Sequence, residues 1–124
     1  MKIELPWPDS ALLPNNSSGH HWAIKQSAKQ QAKQDATYAV KVARFQQVSP
    51  DIDPLVNAEV TIICNPPDNR QRDVDGILSS LKPSLDAIAV ELGINDNKFN
   101  PIIIYREESV TNGRVTVIID QIPF

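Results

Sequence analysis

An α+β fold is predicted for this chain: one small domain spanning 1–124, in the order β-α-β-α-β-β, with a mixed sheet packed by two helices. Three observations lead there. From about His21 to Gln46 the chain is rich in Ala, Gln and Lys and contains no Gly or Pro, which favours one long helix. Asn57 to Cys64 is rich in β-branched residues and alternates imperfectly, as a strand does. Ile102–Glu107 and Arg114–Asp120 read as two further strands, with the strong hairpin signal Asn112-Gly113 between them.

Taken in order, Lys2 to Leu5 reads as a short strand stopped by Pro6 and Pro8. Residues 6–19 form a loop, because three prolines forbid regular pairing and Asn15-Asn16-Ser17-Ser18-Gly19 is turn chemistry. On the long helix, Trp22, Ala32, Ala36, Ala39, Val40, Ala43 and Phe45 are placed on the buried side. Lys25, Lys29 and Lys33 recur every four residues and make a basic stripe. Ser49 to Pro54 is a second loop, and Asn65-Pro66-Pro67-Asp68-Asn69 ends the second strand. Gly76 to Leu92 is helical, with Ile77, Leu78, Leu81, Leu85, Ile88 and Leu92 near one face. Pro83 requires a kink there, or a short turn before a helix starting near Lys82. Gly93 is the expected C-terminal cap.

The apolar share of 41% suits a globular core, and no run of apolar residues is long enough to span a membrane. The opening residues lack the apolar region of a signal peptide. The lone Cys64 lies in an apolar run, so a buried, reduced thiol in a cytoplasmic protein is expected. A net charge of −3 from 12 basic and 15 acidic residues gives no global basic footprint, although local field matters more than the sum.

Chemistry concentrates at Arg70, Arg72, Asp73 and Asp75. Magnesium takes oxygen ligands and keeps several waters, so a few carboxylates suffice to hold it. Asp73 and Asp75 share a direction if the segment is extended, with the arginines on the other side. A competing reading makes the two acids surface turn and helix-cap residues. An EF-hand is excluded, because its first and twelfth positions would be Gln71 and Lys82. Asp51 and Asp53 have the same spacing but sit between Pro50 and Pro54 with no basic neighbours, precede a strand, and read as a solvated loop. Lys82 follows Asp75 by seven residues and shares its face if the helix is continuous. His20 and His21 lack partners at zinc spacing, and Trp7 and Trp22 read as packing residues.

Several segments, in order, resemble the RusA-type Holliday junction resolvases of bacteria and their prophages, in a phage-related subgroup. They are Leu5-Pro6-Trp7-Pro8-Asp9-Ser10, Asn15-Asn16 through His21-Trp22, Asp73-Val74-Asp75, Leu81-Lys82-Pro83-Ser84-Leu85-Asp86-Ala87 and Gly93-Ile94-Asn95-Asp96. The resemblance covers most of the chain. It implies a homodimeric, magnesium-dependent endonuclease that cuts four-way DNA junctions, with manganese as a substitute metal and no small-molecule cofactor. Carried over by position, Asp73, Asp75 and Asp96 are metal-binding catalytic acids and Lys82 is the catalytic lysine. Asp86 either joins the acids or orients a neighbour. Lys25, Lys29, Lys33, Arg70 and Arg72 are the expected DNA contacts. The sequence departs from the family pattern at Gly76, commonly Asn, at Asn95-Asp96, often two Asp, and in a spacer to Lys82 that is three residues longer than in shorter members. Three rival functions remain: a branched-DNA-binding module without catalysis, a metal-dependent phosphoesterase with another substrate, and a plain structural or interaction domain in which the acids are caps.

Overall fold

The structure is a computed structural model describing residues 1–13, 22–47 and 51–121. The expectations for Asn15 through His21 and for Ser49 and Pro50 lie outside the described residues.

Strand β1 (Lys2–Leu5) leads through a 3-10 turn (Ser10–Leu12) to helix α1 (Trp22–Gln46). Strand β2 (Ala58–Asn65) is followed by helix α2 (Val74–Ser80) and helix α3 (Lys82–Leu92). A second 3-10 turn (Asp96–Lys98) opens strand β3 (Phe99–Arg106), and β4 (Arg114–Asp120) completes a four-stranded mixed sheet. The class is α+β, as predicted.

The predicted second helix is two helices, and Pro83 is the reason. Its ring removes a donor at the start of α3, where an N–H has no helical partner anyway. Leu81 forms the joint, and its amide still reaches the Ile77 carbonyl at 3.2 Å. Gly93 caps α3 in the left-handed region at φ 71°.

Strand order is β1-β4-β2-β3. β2 runs parallel to β3 and antiparallel to β4, so β3 and β4 flank it and do not pair. The expected hairpin is therefore corrected. Asn112 and Gly113 do turn the chain with positive φ, but the turn carries it across the end of β2. Val60, Ile62 and Cys64 of this inner strand are fully buried in the core.

Ala58, Val60, Ile62 and Cys64 of β2, with Val115, Val117 and Ile119 of β4, meet Ala36, Val40, Ala43, Leu81, Leu85 and Ile88 in one core. Trp22 and Phe45, placed on the buried side of α1 by sequence, are instead 73% and 93% exposed. The buried stripe of α1 is narrow, made of Ala36, Val40 and Ala43. All the packed helix residues belong to that single core. The alternate residues of the sheet, among them Thr61, Ile63, Thr116 and Ile118, point to the other side and are absent from it.

Candidate active site

The loop after β2 is built around one carboxylate. Asp68 Oδ1 accepts the Arg70 amide at 3.0 Å and lies 2.9 Å from an Arg72 guanidinium nitrogen. Its Oδ2 accepts from the Arg70 guanidinium at 3.0 Å. The Arg70 amide bond, opposed by partial burial and aided by both guanidinium groups, holds the Asp68 carboxyl down to about 2.

Arg72 is held tightly. Its Nη1 donates to the Asp68 and Arg70 carbonyls, each at 3.2 Å, and its guanidinium lies 5.5 Å from the centre of the Trp7 ring. Only 19% of its side chain is exposed, against 82% for Arg70. Trp7 is wedged in turn against Gly113, where an added Cβ would fall 2.8 Å from Trp7 Cβ and 3.0 Å from Pro67 Cδ. The positive φ and this close approach both require glycine at 113. Arg106, at the end of β3, donates to the Arg72 carbonyl. Arg72 is thus a clamp within the chain, and Arg70 is the arginine with its head in solvent.

This clamp delivers Asp73 as the residue before α2. Its backbone is extended (φ −79°, ψ 136°), and its carbonyl accepts from Ile77 N at 3.1 Å. Its carboxylate makes no capping bond. Asp75 follows in the first turn of the helix. Both residues are exposed, and among the described residues neither carboxylate has a hydrogen bond or an ion pair. The side-chain cap reading therefore does not describe Asp73. The extended run expected through Asp75 stops at Asp73, because the helix begins at Val74.

Asp75 belongs to α2, whereas Lys82 opens α3, beyond the Leu81 joint. It lines a groove of about 290 Å³ with Lys29, Lys33 and Asp86. Two lysines of the α1 stripe and the predicted catalytic lysine thus border one groove, and Asp86 joins the lysines there. Lys25, half-exposed, is not among the residues lining it.

Asp96 is set apart. It begins the 3-10 turn capped by Asn95, whose Oδ1 accepts the Asn97 amide at 3.1 Å, and the turn leads into the start of β3. Arg106, at the other end of β3, touches Arg72. A strand of this length spans roughly 23 Å at about 3.3 Å per residue. Within one chain Asp96 and the Asp73/Asp75 pair therefore lie at opposite ends of β3. Among the described residues there is no group of three or more His, Cys, Asp and Glu placed to hold a metal ion. Asp73 and Asp75 are uncommitted carboxylates of the oxygen-donor type that magnesium takes, commonly one or two with water and phosphate oxygens completing its shell.

Sequence reasoning missed Arg106 and the organising role of Asp68. The Asp68-x-Arg70-x-Arg72 alternation was a readable signal for the latter. Arg106 became a neighbour only through the parallel pairing of β2 with β3. Cys64 is buried as expected, and burial pushes its thiol up to about 11.

No family model matches the chain. It is similar to an uncharacterized protein of Xylella fastidiosa (strain Temecula1 / ATCC 700964), 29% identical over 117 residues that cover 94% of this chain and 74% of the relative. Among the described residues no helix is long and apolar enough to cross a membrane.

Proposed function

We propose that the chain is a magnesium-dependent, structure-specific endonuclease that resolves four-way DNA junctions by paired phosphodiester hydrolysis, in the manner of the RusA-type resolvases it resembles. One observation supports this most: Asp73 and Asp75 present two carboxylates without partners in the chain, beside a loop held rigid by arginine. Rigid loops carrying uncommitted charge are where binding and catalysis concentrate.

Asp73 and Asp75 would hold the metal. When bound, magnesium neutralises charge on the scissile phosphate. Arg70 offers a solvated guanidinium to a neighbouring phosphate, and Lys29, Lys33 and Lys82 offer ammonium groups along their shared groove. Arg72 positions the loop through Asp68 and Trp7 and leaves the DNA contacts to Arg70. The resemblance assigns Asp96 as a third acid; its place at the far end of β3 leaves the proposal resting on Asp73 and Asp75. The products are a 5′-phosphate and a 3′-hydroxyl.

A second reading, junction binding without cleavage, draws support from the same separation of Asp96, which leaves only two acids at the site. Labelled four-way and linear DNA, incubated with and without magnesium alongside Asp75→Asn, separates the readings. Paired nicks on the junction that vanish in the variant support the enzyme. Binding that survives Asp75→Asn, with no nicking by the wild type, supports the binding module. Equal cutting of linear DNA removes junction specificity and points to another phosphoesterase.

A further inference from the structure

Strand β1 is an edge of the sheet, and among the described residues its outer side pairs with nothing. Its hydrogen-bond phase is fixed at one end. The Ile119 amide donates to the Met1 carbonyl at 2.8 Å, and the Ile119 carbonyl accepts from the Met1 nitrogen at the same distance. In an antiparallel pair bonded and unbonded positions alternate, so Ile3 and Leu5 bond β4 while the N–H and C=O groups of Lys2 and Glu4 point away from it. Lys2 and Glu4 line a groove of about 950 Å³ whose other wall is α1. On that wall Ala39, Ala43 and Gln47 form one row at four-residue spacing, and Tyr38 and Val42 begin the next. Gln47 carries a side-chain oxygen that is buried with no hydrogen-bond partner among the described residues, an acceptor that needs a donor. Asp35 marks the end near Pro6, because it lines both this groove and a smaller cavity beside Leu5, Pro6 and Trp7. Its carboxylate accepts the Gln31 side-chain amide at 2.9 Å, and among the described residues no cation pairs with it.

We propose that this groove takes an extended peptide segment of a partner protein, which adds to β1 as a new outer strand. The segment carries apolar side chains at alternate positions and a basic residue at the Asp35 end. Hydrogen bonding, side-chain alternation and charge together select this occupant. Outward amides and carbonyls along a strand edge are matched by another extended backbone, which presents the same alternation. Alternate side chains of that backbone turn to the helix side, where Ala39, Val42 and Ala43 receive apolar groups. Glu4 already meets Lys2 at 3.8 Å, so Asp35 is the unmatched charge in the groove and calls for a cation. A second copy of the chain is a poorer occupant. Joined edge to edge about a two-fold axis perpendicular to the sheet, it would bring its own α1 to the same side, against Tyr38 and Val42. The groove suits a narrow chain and not a helix-covered strand.

The inference rests on the strand edge and not on the nuclease reading, so either can fail alone. A displayed library of random dodecapeptides, selected on the purified chain, tests it; an enriched peptide is then synthesised and titrated by fluorescence anisotropy. The expected binder alternates apolar residues and has Lys or Arg toward one end. Methylating its alternate backbone nitrogens deletes the strand donors and is expected to weaken binding about tenfold or more. Val42→Arg fills the groove from a half-buried position and is expected to weaken binding at least as much, with unchanged circular dichroism verifying the fold. Asp35→Lys is expected to weaken the same peptide about tenfold and to recover binding when the peptide's basic residue is replaced by Glu. No enriched peptide, binding indifferent to N-methylation or to Val42→Arg, or an Asp35→Lys variant with wild-type preference overturns the inference. Sedimentation completes the test: a dimer that Val42→Arg dissociates assigns the edge to a second copy and overturns it as well.

Discussion

Asp51/Asp53 and Asp73/Asp75 have the same spacing and opposite commitments. Asp51 Oδ1 accepts the Ile52 amide at 2.9 Å, and its carboxylate meets Arg44 of α1 at 3.3 Å. Asp53 Oδ1 accepts the Leu55 amide at 2.9 Å, while its backbone amide and carbonyl are bound by the Gln121 side chain. Those two carboxylates are occupied in closing their own loop. At the second site the closing is done by a different acid, Asp68, which takes the arginines and leaves Asp73 and Asp75 uncommitted. The difference teaches that spacing does not tell an uncommitted acid pair from a committed one; what tells them apart is which groups satisfy the surrounding loop. It also corrects the view that the first pair lacks a basic neighbour: Arg44 is distant in sequence and adjacent in space.

The sharpest way to break this comparison is to neutralise each pair. Asp73→Asn or Asp75→Asn is expected to reduce magnesium-dependent nicking about a hundredfold or more, as loss of a group acting on developing charge does. Unfolding stability should change by no more than about 0.5 kcal/mol, because no intramolecular bond is removed. Chemical denaturation beside a nicking assay reads both. Gly113→Ala strikes the wedge that holds Trp7 on Arg72, and its strained backbone and close contacts are expected to cost about 2 kcal/mol. Arg72→Ala removes the clamp itself and leaves Asp68 with Arg70 alone; about 1–2 kcal/mol is expected in denaturation. Asp53→Ala opens the first loop for about 1 kcal/mol and should leave nicking unchanged.

The smallest expected effect is in pH. The Asp68 carboxyl is lowered to about 2 in the folded chain, against roughly 3.9 for a free aspartate. A depressed carboxyl stabilises the fold above its unfolded value, so its contribution is complete above about pH 4. It is lost as pH falls through about 2. Thermal melts of wild type and Asp68→Asn across that window should converge at the acid end; parallel curves would show that Asp68 is not the titrating group.

Much of the architecture was legible because it is local. The run from Trp22 to Gln46, the β-branched β2 segment and the break at Pro83 each follow from residue chemistry over a few turns. Strand pairing was not legible. Asn112-Gly113 signals a turn, but β2 lies between the two strands it connects, and that non-local pairing is not written in the turn residues. Of the site, the Asp73/Asp75 pair and the lysines could be found by eye. The commitment of Arg72 to Trp7, the approach of Arg106 and the distance of Asp96 are products of sheet order, which spacing does not encode.

The central claim is that the uncommitted acid pair does the chemistry and the committed one does not. Junction nicking in magnesium, measured side by side for Asp75→Asn and Asp53→Asn at matched folded concentration, tests it directly. The account predicts loss of paired nicks in the first and wild-type nicking in the second. Full activity in Asp75→Asn, or equal loss in both, would contradict it.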